Sequence, residues 1–143
     1  MYWKSVVVFV LAILSLNSCQ RKEAEALLEK AKTNETAKLE LQQRPSNFII
    51  AGDWDTFDKG VATSYTKATA IVFANRSAFD IDEIRGSITY LSAEGSIMAT
   101  VPFAASGLIR ASEALKVPVR SSEIDGAAKT AAIFVERVHI VDQ

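Results

Sequence analysis

The chain has 143 residues, with 16 Lys and Arg against 17 Asp and Glu and one His, for a formal net charge of −1. Near neutrality without a clustered basic stretch excludes the electrostatic footprint of a nucleic-acid binder, and an apolar share of 49% suffices for the core of a single domain. One cysteine, Cys19, excludes a disulfide framework and a cysteine-built metal site.

In chain order, Lys4 precedes an almost wholly apolar run, Val6 to Leu16. A membrane-spanning helix needs about twenty apolar residues, so this run of about eleven is too short to span and has the length of a signal-peptide h-region. Leu16-Asn17-Ser18-Cys19 follows, with small Ser18 directly before Cys19. This stretch resembles the lipobox of bacterial lipoproteins, in which Leu and two small residues precede an invariant Cys; Asn17 is larger and more polar than usual. The resemblance implies a signal peptide over 1–18, diacylglyceryl transfer to the Cys19 sulfur, cleavage before Cys19 and acylation of the new amine. Its implied partner is membrane lipid, held through Cys19, and its implied location is the bacterial cell envelope. Gln20 in place of Asp after the cysteine favours the outer membrane, facing the periplasm. Two or three acyl chains hold a protein where one, at about 0.8 kcal/mol per buried methylene, does not. A secretory signal with an incidental cysteine, and a short transmembrane anchor, are the alternatives.

Residues 19–46 form the expected lipidated N-terminus and linker. Gln20 to Arg44 is rich in Ala, Leu, Glu, Lys and Gln, with no Gly or Pro before Pro45, which predicts an α-helical tether ending near that proline. Ala24, Leu27, Leu28 and Ala31 make one apolar stripe, Leu39 and Leu41 a weaker second one, and Asn34 with its flanking threonines interrupts the seam. Glu29 with Lys32 and Glu35 with Lys38 stand at i,i+3. As a full helix the segment reaches about 35 Å. It reads as a solvated tether, or as a short coiled coil of about three heptads.

From residue 47 to 143 the period becomes alternating, which predicts a β domain. Phe48-Ile49-Ile50 is a first short strand, and Gly60 to Asn75 is rich in Thr, Val, Ile and aromatics. Ile84, Gly86, Ile88 and Tyr90 alternate with Arg85, Ser87 and Thr89; Ser92-Ala93-Glu94-Gly95 then closes a hairpin, with Gly95 free to take a positive φ. Ile97, Ala99, Val101 and Phe103 return, and Ala104 to Ser112 reads as a loop or crossing. Leu115, Val117 and Val119 alternate around Pro118, which argues for an edge strand. Ser121 to Gly126 is a turn. Ala131 to Val141 closes the chain, with Ile133, Val135 and His139 on one face and Phe134, Val138 and Ile140 on the other. About six or seven strands with turns at short intervals predict a mainly β chain, an antiparallel immunoglobulin-like β-sandwich, without the Cys-Trp-Cys signature of antibody domains.

Ile71 to Ser77, Ile84 to Leu91 and Gly95 before a further strand are similar to small bacterial sandwich domains of the water-stress and FxLYD kind, in which an apolar strand ends in Asn-x-Ser. Tyr90-Leu91-Ser92 stands where those domains carry Leu-Tyr-Asp. The resemblance implies a fold and an envelope setting, and no functional residues.

Several side chains carry candidate chemistry. Asp53, Asp55 and Asp58 flank Trp54 and Phe57; carboxylates suit Ca²⁺, but their spacing departs from an EF-hand loop, and acidic turn residues are the plainer reading. Asp80, Asp82 and Glu83 form a second acidic group, which serves acid–base chemistry only if two carboxyls come within about 5–10 Å. His139 is the lone histidine; as a base it needs a nucleophile and an orienting carboxylate, and Ser121, Ser122 and Asp125 lack a nucleophile elbow. Trp54, Phe57 and Tyr65 either make an exposed contact patch or pack strand ends. Asn34-Glu35-Thr36 and Asn75-Arg76-Ser77 match the glycosylation sequon, which carries little weight in a bacterial lipoprotein. No phosphate loop or dinucleotide fingerprint occurs, so no cofactor and no metal is expected. The reading is a lipid-anchored envelope protein with a non-catalytic binding or adaptor domain. Its expected partner is another envelope protein, met along a sheet edge or through loops beside Trp54, with Asp53, Trp54, Asp55 and Asp58 as candidate binding residues. A small-ligand or glycan-binding module is the alternative, and an enzyme of unfamiliar type the third reading, which needs Asp80, Asp82, His139 or the Asp53 group clustered in one cleft.

Overall fold

The computed structural model describes residues 2–56 and 65–142, with side chains from Cys19 onward. The chain divides into two compact units, 1–37 and 38–143, joined through one helix, α1 (Tyr2–Gln43).

In the first unit, Asn34 and its neighbours do not break the helix. The Thr33 and Thr36 hydroxyls donate to the carbonyls of Glu29 and Lys32, at 3.0 and 2.9 Å, so each threonine satisfies itself against the preceding turn. Arg21 lies 3.8 Å from Glu25 at i,i+4. Leu27 and Leu28 of the expected stripe are exposed. Among the described residues no helix is long and apolar enough to cross a membrane. The side chains of the expected signal peptide, 1–18, lie outside the described set.

The second unit takes in the last turns of α1 along with the strands. Leu41 is 1% exposed and belongs to the core, although the sequence pattern starts the domain only at residue 47. Lys38 lies 3.5 Å from Asp142 and 5.9 Å from the centre of the Phe79 ring. A 3₁₀ turn at Pro45–Asn47 then leads into the strands.

The unit is mainly β. Its strands are β1 (Ile49–Thr56), β2 (Tyr65–Thr66), β3 (Ala68–Asn75), β4 (Ile81–Leu91), β5 (Ile97–Ile109), β6 (Ala114–Ser121), β7 (Ile124–Asp125) and β8 (Thr130–Ile140). Six of them form an antiparallel sheet in the order β1-β3-β6-β5-β4-β8, and β2 pairs with β7. The sheet curls on itself. Trp54 of β1 lies 5.7 Å from Tyr90 of β4, and Phe73 of β3 stacks 5.9 Å from Phe103 of β5, although neither pair of strands is adjacent. The Ala68 amide donates to the buried Tyr90 hydroxyl at 3.0 Å, giving the phenol a polar partner inside the core.

β4 alternates as expected, with Ile84, Gly86, Ile88 and Tyr90 buried. The hairpin closes at Gly95, whose φ is +81°. Several expectations are corrected. β1 runs through Asp53, Trp54 and Asp55, so those residues are strand and not turn. Ala104 to Ile109 continues β5 and is not a crossing loop, while Ala114 at the far side of Ser112 opens β6. β6 stands between β3 and β5 in the sheet order, yet each half pairs on one side only, residues 114–118 with β3 and 119–121 with β5, so Pro118 has a single partner strand. Pro118 sits at the handover between partners, where a missing amide is tolerated. Ile124 and Asp125 form a short strand inside the expected Ser121–Gly126 turn.

The last correction changes which residues face out. Arg85 pairs with Arg137 and Gly86 with Val135, leaving Glu136 as an extra residue on β8. Such a β-bulge shifts the alternation by one. Val135, Val138 and Ile140 are therefore all buried, and His139 faces out away from Val135. Gly86 makes the bulge possible, because a Cβ there would lie 1.9 Å from the Phe134 carbonyl oxygen.

Candidate functional site

The candidate residues are dispersed. Cys19 is exposed on α1. Asp53 lies in a bulge with Gly52 opposite Val72, Trp54 turns inward onto Tyr90, and Asp55 pairs with Lys116 at 3.0 Å. Phe57 and Asp58 lie outside the described residues. Asp80 accepts from the Ala111 amide at 2.9 Å, joining the start of β4 to the β5–β6 turn. Asp125 pairs with Tyr65 across β7 and β2. The Ser121 hydroxyl donates to the Ala68 carbonyl at 3.0 Å.

Two of the candidates do meet. His139 Nδ1 lies 2.6 Å from Asp82 Oδ1 on the outer surface. The imidazole is held above its ordinary value first by that hydrogen bond and then by the Asp82 charge; desolvation opposes them, and Glu83 and Asp142 add smaller help. Glu83, the neighbouring carboxylate, is instead taken by Arg85 at 2.6 Å.

Asn75, the first residue of the Asn-x-Ser motif, is 1% exposed. Its Nδ2 donates to the carbonyls of Phe79, Ile109 and Arg110 at 2.7, 3.1 and 3.2 Å. Its Oδ1 accepts from the Ser77 amide and hydroxyl at 3.0 and 2.7 Å. One side chain thus ties the end of β3 to two turns. It is a structural clasp, closed to glycan attachment.

The strongest concentration of chemistry lies on residues that sequence reading did not select. Strand pairing sets Arg137 opposite Arg85, Arg85 opposite Ala104, and Ala104 opposite Arg120. Directly paired residues share a face, so β8, β4, β5 and β6 carry one transverse row on the outer surface. The row flanks an open groove of about 560 Å³, lined also by Ser122 and Glu136. Arg85 and Arg137 line a neighbouring depression of about 260 Å³ that reaches His139. Arg120 and Arg137 have no ion-pair partner among the described residues. Like charges placed directly opposite are destabilising; here the Glu83 carboxylate on Arg85 offsets part of that repulsion. No local signal announces the row: residues 85, 120 and 137 are distant in sequence, and only strand register brings them together.

Comparison of the chain with protein-family models, with curated proteins and with solved structures finds no match.

Proposed function

We propose that the protein is a lipid-anchored component of a bacterial envelope, held through Cys19, whose β unit works by binding and not by catalysis. The observation that carries the binding reading is the arginine-lined groove on the outer face. Exposed Cys19, following Leu16-Asn17-Ser18, supports the anchor. The finer architecture we propose is an immunoglobulin-like sandwich. One layer holds β1, β3 and the first half of β6; the other holds the second half of β6 with β5, β4 and β8. The Trp54–Tyr90 and Phe73–Phe103 contacts support that pairing of layers.

The partner in this reading is another envelope protein, and the outer face of β8, β4, β5 and β6 is its contact surface. Both sheet edges are poor candidates. β1 is bulged at Gly52–Asp53 and β8 at Glu136, and each carries charge, devices that oppose strand addition. Trp54 is engaged with Tyr90. Asp53 and Asp55 remain available at the margin, Asp55 through its exposed pair with Lys116.

Crosslinked pull-down from native membranes, with fractionation of intact protein and Cys19→Ala, tests this function. The expected result is one enriched envelope protein, lost on Arg137→Gln, and release of the Cys19→Ala chain from the membrane fraction. Identical fractionation of the two chains refutes the anchor. Enrichment that ignores the arginines refutes the assigned contact surface.

A further inference from the structure

We propose that the arginine row is a binding site for a small oxyanion ligand carrying phosphate groups. This rests on the binding reading of the same groove and names the chemistry that the groove takes; it holds whether or not Cys19 is acylated.

Three observations support it. First, Arg85 and Arg137 stand directly opposite one another, so an oxyanion bridging the two guanidinium groups converts repulsion into attraction. Guanidinium presents parallel N–H donors that match phosphate oxygens in bidentate fashion, and does so more specifically than an ammonium. Second, the row is charge-unbalanced. Around the main groove three arginines face a single carboxylate, Glu136. Glu83 pairs with Arg85 from the side of the second depression, and both residues are substantially exposed. Third, the centre of the row is Ala104, the small residue between Arg85 and Arg120. It leaves a floor on which a ligand can lie. With strands about 4.8 Å apart, the row spans roughly 14 Å from β8 to β6. That is long enough for one phosphate between Arg137 and Arg85 and a second anionic group reaching Arg120.

Phosphate of this kind is offered both by soluble phosphorylated molecules and by lipid headgroups. The test uses the full chain in two arms. In the first, inorganic pyrophosphate is titrated calorimetrically at low salt, with the arginine Nε–Hε signals followed by NMR. In the second, partition onto zwitterionic vesicles is compared with partition onto vesicles containing phosphatidylglycerol, and only the increment due to the anionic lipid is scored. Any contribution of the apolar N-terminus is common to both vesicles and cancels.

Removing one charge-assisted contact is expected to weaken binding by about tenfold or more. Arg137→Gln and Arg120→Gln should each show this loss. Ala104→Leu, which fills the floor without changing the charge, should also weaken binding. Arg76→Gln, an exposed arginine outside the row, should leave it unchanged. Pyrophosphate binding with this pattern supports the site and assigns it a soluble ligand. A pattern seen only in the phosphatidylglycerol increment supports it and assigns a headgroup. Absence of binding in both arms overturns the proposal, as does equal weakening by Arg76→Gln and Arg137→Gln, which would reduce the effect to net charge. Failure of the anchor would appear instead in the fractionation of Cys19→Ala and would leave the pyrophosphate arm untouched.

Discussion

Replacing Asn75 by Ala tests the clasp at the end of β3. The substitution removes three donations from Nδ2 and two acceptances by Oδ1. Two amide hydrogens serve three carbonyls, so the three count as about two full bonds, and the net worth of each bond is about 0.5–1.5 kcal/mol. The groups left behind raise the cost: an unsatisfied buried donor or acceptor costs about 1–3 kcal/mol, and the Ser77 amide and the Ile109 carbonyl lose a partner inside the fold. A loss of about 3–5 kcal/mol follows. Against the 5–15 kcal/mol typical of a domain it is a large fraction, and it lowers the Tm by roughly 15–25 °C for a unit of this size. Urea and thermal denaturation, read by circular dichroism and tryptophan fluorescence, measure it. Ser77→Ala, which spares the Nδ2 donations, should cost much less. Asn75→Asp keeps the acceptor but aims a carboxylate at three carbonyls, so the acid's folded pKa rises. The folded state then holds its proton more tightly than the unfolded state, and the variant recovers stability as pH falls. A loss under about 1 kcal/mol for Asn75→Ala at an unchanged m-value would show that the clasp is dispensable and the reasoning wrong.

Other substitutions probe the remaining features. Gly86→Ala places a Cβ 1.9 Å from the Phe134 carbonyl oxygen and 2.9 Å from Phe103, so the bulge must open or β8 must shift; the expected cost is at least about 1–3 kcal/mol, and a Tm within one degree of the parent would contradict the close approach. Arg137→Gln relieves a cross-strand repulsion that Glu83 already offsets in part, so it should leave stability unchanged or slightly raised even as it weakens oxyanion binding; a destabilised variant would mean that Arg137 supports the fold. Asp82→Asn should lower the His139 titration midpoint followed by NMR, because Asp82 supplies the two largest causes of its elevation. The raised value means that this pair's contribution to stability is present below the histidine's ordinary pKa of 6.5 and is lost as pH rises through the folded value. An unmoved midpoint would assign the elevation to Glu83 and Asp142.

Strand positions were legible wherever alternation ran unbroken. β4 and its hairpin at Gly95 follow from period-two patterning and one turn glycine. The helix and its stop near Pro45 follow from composition. Legibility failed where geometry departs from two residues per repeat. Small and polar residues hid the continuation of β5, because Ala104, Ala105, Ser106 and Gly107 carry little hydrophobic contrast, although Ala105 is buried. Pro118 read as an edge because a sequence does not reveal that a strand changes partner midway along its length. Asp53 and Asp55 read as turn because two acids in three residues resemble a loop, whereas Trp54 between them anchors a strand on Tyr90.

The same departure explains why the groove was missed. Strict alternation through β8 puts Arg137 on the face of Val135 and His139, which is the core face. The extra residue at Glu136 reverses that parity, turning Arg137 outward opposite Arg85 while keeping Val138 and Ile140 in the core. The bulge depends in turn on Gly86, whose missing side chain admits the Phe134 carbonyl. Gly86 lies next to Arg85 in the chain, so one glycine both opens the space and sits beside the guanidinium that uses it. A bulge leaves a ladder locally unpaired and is a recurrent means of re-aiming a side chain. Here the re-aimed side chain carries a charge into a like-charged neighbour. The bulge and the arginine together set the cationic row on the outer face, and this makes Gly86→Ala informative twice: any folded form of that variant should lose stability and oxyanion affinity together, whereas Arg137→Gln should separate the two.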